Sequence, residues 1–203
     1  MTSIDFVALE VADTAAADHF YTSVLGLGDE VRVRASEAAT SGFRGFTLSL
    51  VVSQPANVNA LVEAAAEGGA TVVKPPAKSL WGYGAVVQAP DGTVWQVASS
   101  SKKDTGPAAL DVDEIVLLLG VENMKASKEF YVGHGLAVGK SFGSKYVEFA
   151  TGRGAVKLAL YKRRGLAKVA GVSPEGSGSH RIVIGADAGV FEDPDGFAWT
   201  TAA

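Results

Sequence analysis

The sequence predicts an α+β protein made of two tandem copies of one strand-and-helix plan, and three observations predict it. An apolar strand running into a helix occurs at residues 6–11 and again at 115–121. Each helix stops at Gly-rich sequence, Gly26-Leu27-Gly28 in the first copy and Gly133-His134-Gly135-Leu136 in the second. Glycine just past a helix end takes up the left-handed cap conformation at little steric cost. Each copy then closes on a Pro-Asp-Gly turn feeding an aromatic strand, Pro90-Asp91-Gly92 before Trp95 and Pro194-Asp195-Gly196 before Trp199. In such a turn Pro fixes one φ and Gly supplies the other.

The elements follow in order. The first helix, about 13–25, has Asp13 as its N-cap and Phe20, Tyr21, Val24 and Leu25 on an apolar stripe. A strand is expected at 46–52, a helix at 58–67 ending in Gly68-Gly69, and strands at 71–73, 85–88 and 93–97. In the second copy Asn123 caps a helix over about 123–132 carrying Phe130 and Tyr131. Strands are expected at 146–150, 156–161, 180–184 and 197–200, with a loop through 171–179. Residues 1–100 form the N-terminal half, 101–108 a polar linker bounded by Pro107, and 109–203 the C-terminal half.

Composition narrows the function classes. The chain has 203 residues, 47% of them hydrophobic, enough to bury a core and to exclude disorder as the default. A net charge of −4 gives no basic surface of the kind that nucleic acid requires. No apolar run approaches a membrane span, and the N-terminus lacks the basic and apolar regions of a signal peptide, so a cytoplasmic protein with no membrane partner is expected. The absence of Cys excludes disulfides, thiolate catalysis and Cys-ligated zinc.

In each copy a strand leads to Asp13 or Asn123, then to Phe-Tyr at the seventh and eighth positions after it, then to Gly-rich sequence and finally to Pro-Asp-Gly before an aromatic strand. This order resembles the vicinal oxygen chelate superfamily, the glyoxalase, bleomycin-resistance and extradiol-dioxygenase-like proteins, over nearly the whole chain. The resemblance implies tandem βαβββ-type modules whose curved mixed sheets enclose a cavity. Two departures imply trimmed modules: residues 31–45 are too few for all the strands of a complete first module, and 184–195 leave no room for the usual helix.

Metal-dependent members place ligands on the first strand, the strand opening the second module and the last strand. Those positions carry Phe6 and Val116, then Thr47 and His180, then Gln96 and Thr200. One imidazole and a neutral amide do not make a set for Zn, Ni, Mn or Fe, so no cofactor is expected. A divalent metal held by a rearranged pair of Glu10 and His180 is the fallback.

Alternation along the strands turns Phe6, Ala8 and Glu10 away from Val7, Leu9 and Val11 and toward the cavity. The candidate ligand-binding residues are Phe6, Glu10, Trp81, Tyr83, Gln96 and His180, with Trp81 and Tyr83 on a Gly-flanked loop suited to stacking on a flat or cationic ligand. Arg32 and Arg34 share one face of a strand and read as solvated edge charges. The expected function is metal-independent binding of an apolar or aromatic small molecule by a monomer or homodimer. Two competitors stand beside it: a lyase, isomerase or dioxygenase using Glu10 or His180 in a non-standard metal or acid–base site, and a structural paralogue without ligand.

Overall fold

The first strand, β1 (Ile4–Val11), buries Val7, Leu9 and Val11 on one face and presents Phe6, Ala8 and Glu10 on the other, which is the period-two pattern of its sequence. A computed structural model describes residues 2–150, 152 and 154–201. After β1, the Asp13 carboxylate accepts from the Ala16 amide at 3.0 Å and starts α1 (Thr14–Asp18). The expected regular helix over 13–25 continues instead as a π-helical turn, His19–Val24. Its wider winding lets the adjacent residues Phe20 and Tyr21 both enter the core. The chain then forms β2 (Val31–Ala35) and the short β3 (Thr40–Gly42).

A complete unit follows: β4 (Phe46–Val51), α2 (Pro55–Glu67), β5 (Thr71–Ser79), β6 (Gly82–Gln88) and β7 (Val94–Ser99). The second half opens with another: β8 (Glu114–Val121), α3 (Met124–Gly133), β9 (Val138–Phe142), β10 (Tyr146–Phe149) and β11 (Val156–Lys162). Then come α4 (Arg163–Ala170), β12 (Gly176–Gly178), β13 (Ile182–Ala186), β14 (Phe191–Glu192) and β15 (Ala198–Thr201). Each half thus resolves into two strand-based units, one complete and one trimmed. The first unit lacks its middle strands and the last lacks its helix.

The pairing states the same plan four times. The opening strand of each unit lies parallel to its last strand, as β1·β2, β4·β7, β8·β11 and β13·β15. Units then join across the halves by antiparallel opening strands, β4 against β8 and β1 against β13. The result is a curved mixed sheet in which β5-β6-β7-β4-β8-β11-β10-β9 form one trough and β2-β1-β13-β15-β14 a smaller one. A single bridge between Ile4 and Val156 links the two.

One apolar core runs under both halves. Tyr21 packs on Trp95 and Tyr131 on Trp199, each pair with ring centroids 5.4 Å apart, so the Phe-Tyr helix of each half covers the aromatic strand that ends it. Both tyrosine hydroxyls donate to turn carboxylates, Tyr21 to Asp91 at 2.9 Å and Tyr131 to Asp193. Burial raises both phenols well above their usual range. The linker is bound rather than free: the buried Gln54 accepts from the Thr105 and Gly106 amides and donates to the Pro107 carbonyl at 2.8 Å.

Candidate functional site

Alternation along β4 sends Phe46, Leu48 and Leu50 to the core and leaves Thr47, Ser49 and Val51 on the trough face. The same rule places Val94, Gln96 and Ala98 there from β7, Val116 and Leu118 from β8 and Ala159 from β11. The expected open cavity is absent at the centre of this trough because α4 lies in it. Leu166, Ala167 and Ala170 are fully buried, the first two against Phe43, Val116, Leu118 and Ala159, the third against Val86 and Val94.

Both ends of the plug are fixed. Arg163 donates to the carbonyls of Phe43 at 2.7 Å and Pro174 at 3.2 Å. Lys74 reaches across from β5 to donate to the Lys168 and Val169 carbonyls at 2.9 and 2.7 Å, a cation on the carbonyl end of a helix. Gly171 ends the helix at φ 75.

Beyond the helix a groove of about 470 Å³ remains on the β5–β7 side, walled by Val86, Ala98 and Val169, with Lys78 on the rim. Trp81 stands at its mouth on the β5–β6 hairpin with 85% of its surface exposed. Gln96 contributes from the floor, its amide nitrogen donating to the Thr47 hydroxyl at 2.9 Å. Tyr83 also borders the groove, but its ring packs against the core and its hydroxyl donates to Asn59 of α2 at 3.0 Å.

The remaining expected residues do not join this group, which corrects the single cavity inferred from the sequence. The Phe6 ring is buried between Arg32, whose guanidinium lies 3.7 Å from the ring centroid, and Gly185, where any Cβ would overlap the ring. Arg32 is therefore not simply a solvated edge charge. Glu10 pairs with Arg34 at 2.5 Å and faces a separate cavity. His180 precedes β13 instead of lying on it, borders another depression, and stacks on Phe197 at 4.0 Å. Its Nδ1 lies 2.6 Å from the Arg44 carbonyl and its Nε2 3.0 Å from the Asp195 carbonyl. Both ring nitrogens are faced by backbone carbonyls, which occupy the positions a metal or a substrate would need.

The metal positions implied by the resemblance fare likewise. Thr47 and Gln96 bond each other, Val116 packs against α4, and no group of three or more His, Asp or Glu able to hold an ion occurs among the described residues. This donor set does not fit the group.

Sequence reasoning missed α4 and a charged cluster at the β8–β11 side of the trough. Lys157 sits 2.6 Å from Glu114 and 4.0 Å from Glu148, while Tyr146 donates to Glu148 at 2.6 Å. Burial, then the bond to Glu148, holds the Tyr146 phenol protonated well above its usual range. Lys140 of β9 adds a second cation 3.5 Å from Glu148, so the cluster ties β8, β9, β10 and β11 together with two charges of each sign. The spacing of Leu166, Ala167 and Ala170 before Gly171 was the available signal for α4, weakened by Gly165 inside the segment.

No family model and no curated protein matches the sequence. Solved structures do match. The chain is similar to glyoxalase I from Zea mays at 16% identity and a TM-score of 0.63, over 98% of this chain and 91% of that one. A point mutant of that glyoxalase I matches at 16% identity and a TM-score of 0.61 over the same shares. A glyoxalase/bleomycin resistance protein/dioxygenase family enzyme from Burkholderia phytofirmans aligns at 24% identity and a TM-score of 0.45, over 48% of this chain and 98% of its own. The two maize likenesses show the fold: over nearly its whole length the chain is folded like glyoxalase I. No helix among the described residues is long and apolar enough to cross a membrane.

Proposed function

We propose that this protein binds an apolar or aromatic small molecule, without a metal or cofactor, in the groove between β5–β7 and the end of α4. The observation that carries the reading is Trp81: a large aromatic, 85% exposed, poised beside an apolar cleft of about 470 Å³. That volume lies within the range of small-molecule sites. An indole left in water gains stacking and burial only when something covers it. Gln96 supplies the oriented polar group that such clefts use to fix a ligand, and the residues at the metal positions offer no set of donors to a cation.

The test is a titration of the purified, chelator-treated protein with 1-naphthol and with proflavine, neutral and cationic planar probes, followed by tryptophan fluorescence and calorimetry. At least one probe is expected to bind with chelator present. Trp81→Ala should weaken that binding by about 1–3 kcal/mol while leaving the melting temperature unchanged, because an exposed hairpin tip adds little to the core. Binding that needs added metal, or that is the same in Trp81→Ala, would remove the basis of the reading.

A further inference from the structure

The geometry points to a second ligand site, independent of the Trp81 groove, that takes a small organic anion with an apolar body. It is a cavity of about 310 Å³ where the end of β1, α1, the Pro90–Asp91 turn and the segment before β13 meet. Val11, Ala17 and Phe20 give it an apolar wall, and Arg44 and Arg181 enter it from the segments preceding β4 and β13.

The two arginines are half-buried, and neither forms an ion pair with a carboxylate among the described residues. Arg44 donates to the Asp91 carbonyl at 2.5 Å and to the Thr93 hydroxyl at 3.5 Å. Arg181 donates to the Ser36 carbonyl through Nη1, while its Nε is buried without a hydrogen-bond partner among the described residues. Burial lowers the Arg44 pKa and the Arg181 charge lowers it further, against the Asp91 carboxylate, which raises it. Two guanidiniums that line one cavity and are partly withdrawn from bulk water are stabilised by an anion bound against them.

The carboxylates around the same cavity are already engaged. Glu10 accepts from Arg34, the Asp13 carboxylate from the Ala16 amide, and Asp91 from the Tyr21 hydroxyl at 2.9 Å, the Thr93 hydroxyl at 2.8 Å and the Thr93 amide at 3.1 Å. The unused donor capacity is therefore on the guanidiniums. Arg181 is also the one non-glycine residue with positive φ among the described residues, at 56. A long side chain held there carries a backbone cost that an ordinary solvated arginine has no reason to bear. The position holds the guanidinium over the cavity instead.

The experiment uses benzoate and phenyl phosphate as anionic probes and benzyl alcohol as their neutral counterpart, read by thermal shift and calorimetry on the whole chain. Either anion is expected to raise the melting temperature of the wild type at millimolar concentration, with benzyl alcohol giving no shift. The two anions together separate carboxylate from phosphate preference. Arg181→Gly removes the guanidinium and relieves the positive φ, so it should fold and lose roughly tenfold or more in affinity. Arg44→Gln should lose a comparable factor, and the arginine Nε–H resonances of the wild type should move on titration with the bound anion. Trp81→Ala should leave the anion affinity unchanged. No shift with either anion, an equal shift with benzyl alcohol, or wild-type anion affinity in both arginine variants would overturn the assignment.

Discussion

Asp193 accepts from the Tyr131 hydroxyl and from the Asp195 and Phe197 amides at 2.9 and 2.8 Å, yet burial outweighs these bonds and raises its pKa. The fold therefore favours the protonated acid. That contribution to stability is complete below the ordinary carboxylate value of 3.8 and is lost as pH rises through the folded-state value. A carboxamide at this position does not titrate, so Asp193→Asn should gain stability relative to wild type as pH climbs from the acid limb toward neutrality. Urea melts across that interval check the sign. A gap that moves the other way would mean that the three donated bonds stabilise the carboxylate by more than burial penalises it. The His180 ring, by contrast, is enclosed by the Arg44 and Asp195 carbonyls and stacked on Phe197.

At the scale of elements, α4 is what distinguishes this molecule from an open two-unit trough. Its buried face of Leu166, Ala167 and Ala170 meets residues from β4, β7, β8 and β11, so the helix builds small apolar clusters of its own on the trough face, opposite the main core. Leu166→Ala should cost about 2–5 kcal/mol of global stability, the usual range for emptying a leucine site. Chemical denaturation measures it. A loss well below that range, with the cooperative transition intact, would show a plug that detaches without unfolding the sheet. The linker behaves in the same spirit, because Gln54 satisfies the 105–107 backbone from beneath and makes a polar tether part of the structure.

At the scale of the whole molecule, the halves are sewn together crosswise. β4 pairs with β8 over Phe46–Leu119 to Val51–Glu114, and β1 pairs with β13 over Ile4–Ala186 to Leu9–Ile182. Residues 1–103 alone would expose both opening strands as long apolar edges and leave the trough without α4. That fragment should aggregate or fail to give a cooperative melt, whereas the full chain melts as one unit. Calorimetry on a monomeric fragment with a sharp transition would contradict the shared core.

The sequence by itself determined the repeated plan. The Asp13 and Asn123 caps, the Phe-Tyr pairs and the Pro-Asp-Gly turns before Trp95 and Trp199 are local signals, and each formed in place because capping and turn chemistry act within a few residues. The trimmed first and last units were legible from segment lengths alone. The candidate site was legible only in part. Trp81, Tyr83 and Gln96 meet at one groove, while Phe6, Glu10 and His180 were drawn off by Gly185 and Arg32, by Arg34, and by two backbone carbonyls. Most of those partners lie far along the chain, or arrive from strands whose order no local pattern specifies. Which side chain is spent on the fold and which is left for a ligand was decided when β1 met β13, β4 met β8 and α4 entered the trough. Long-range burial selects those contacts, and the short-range pattern of the chain does not encode them.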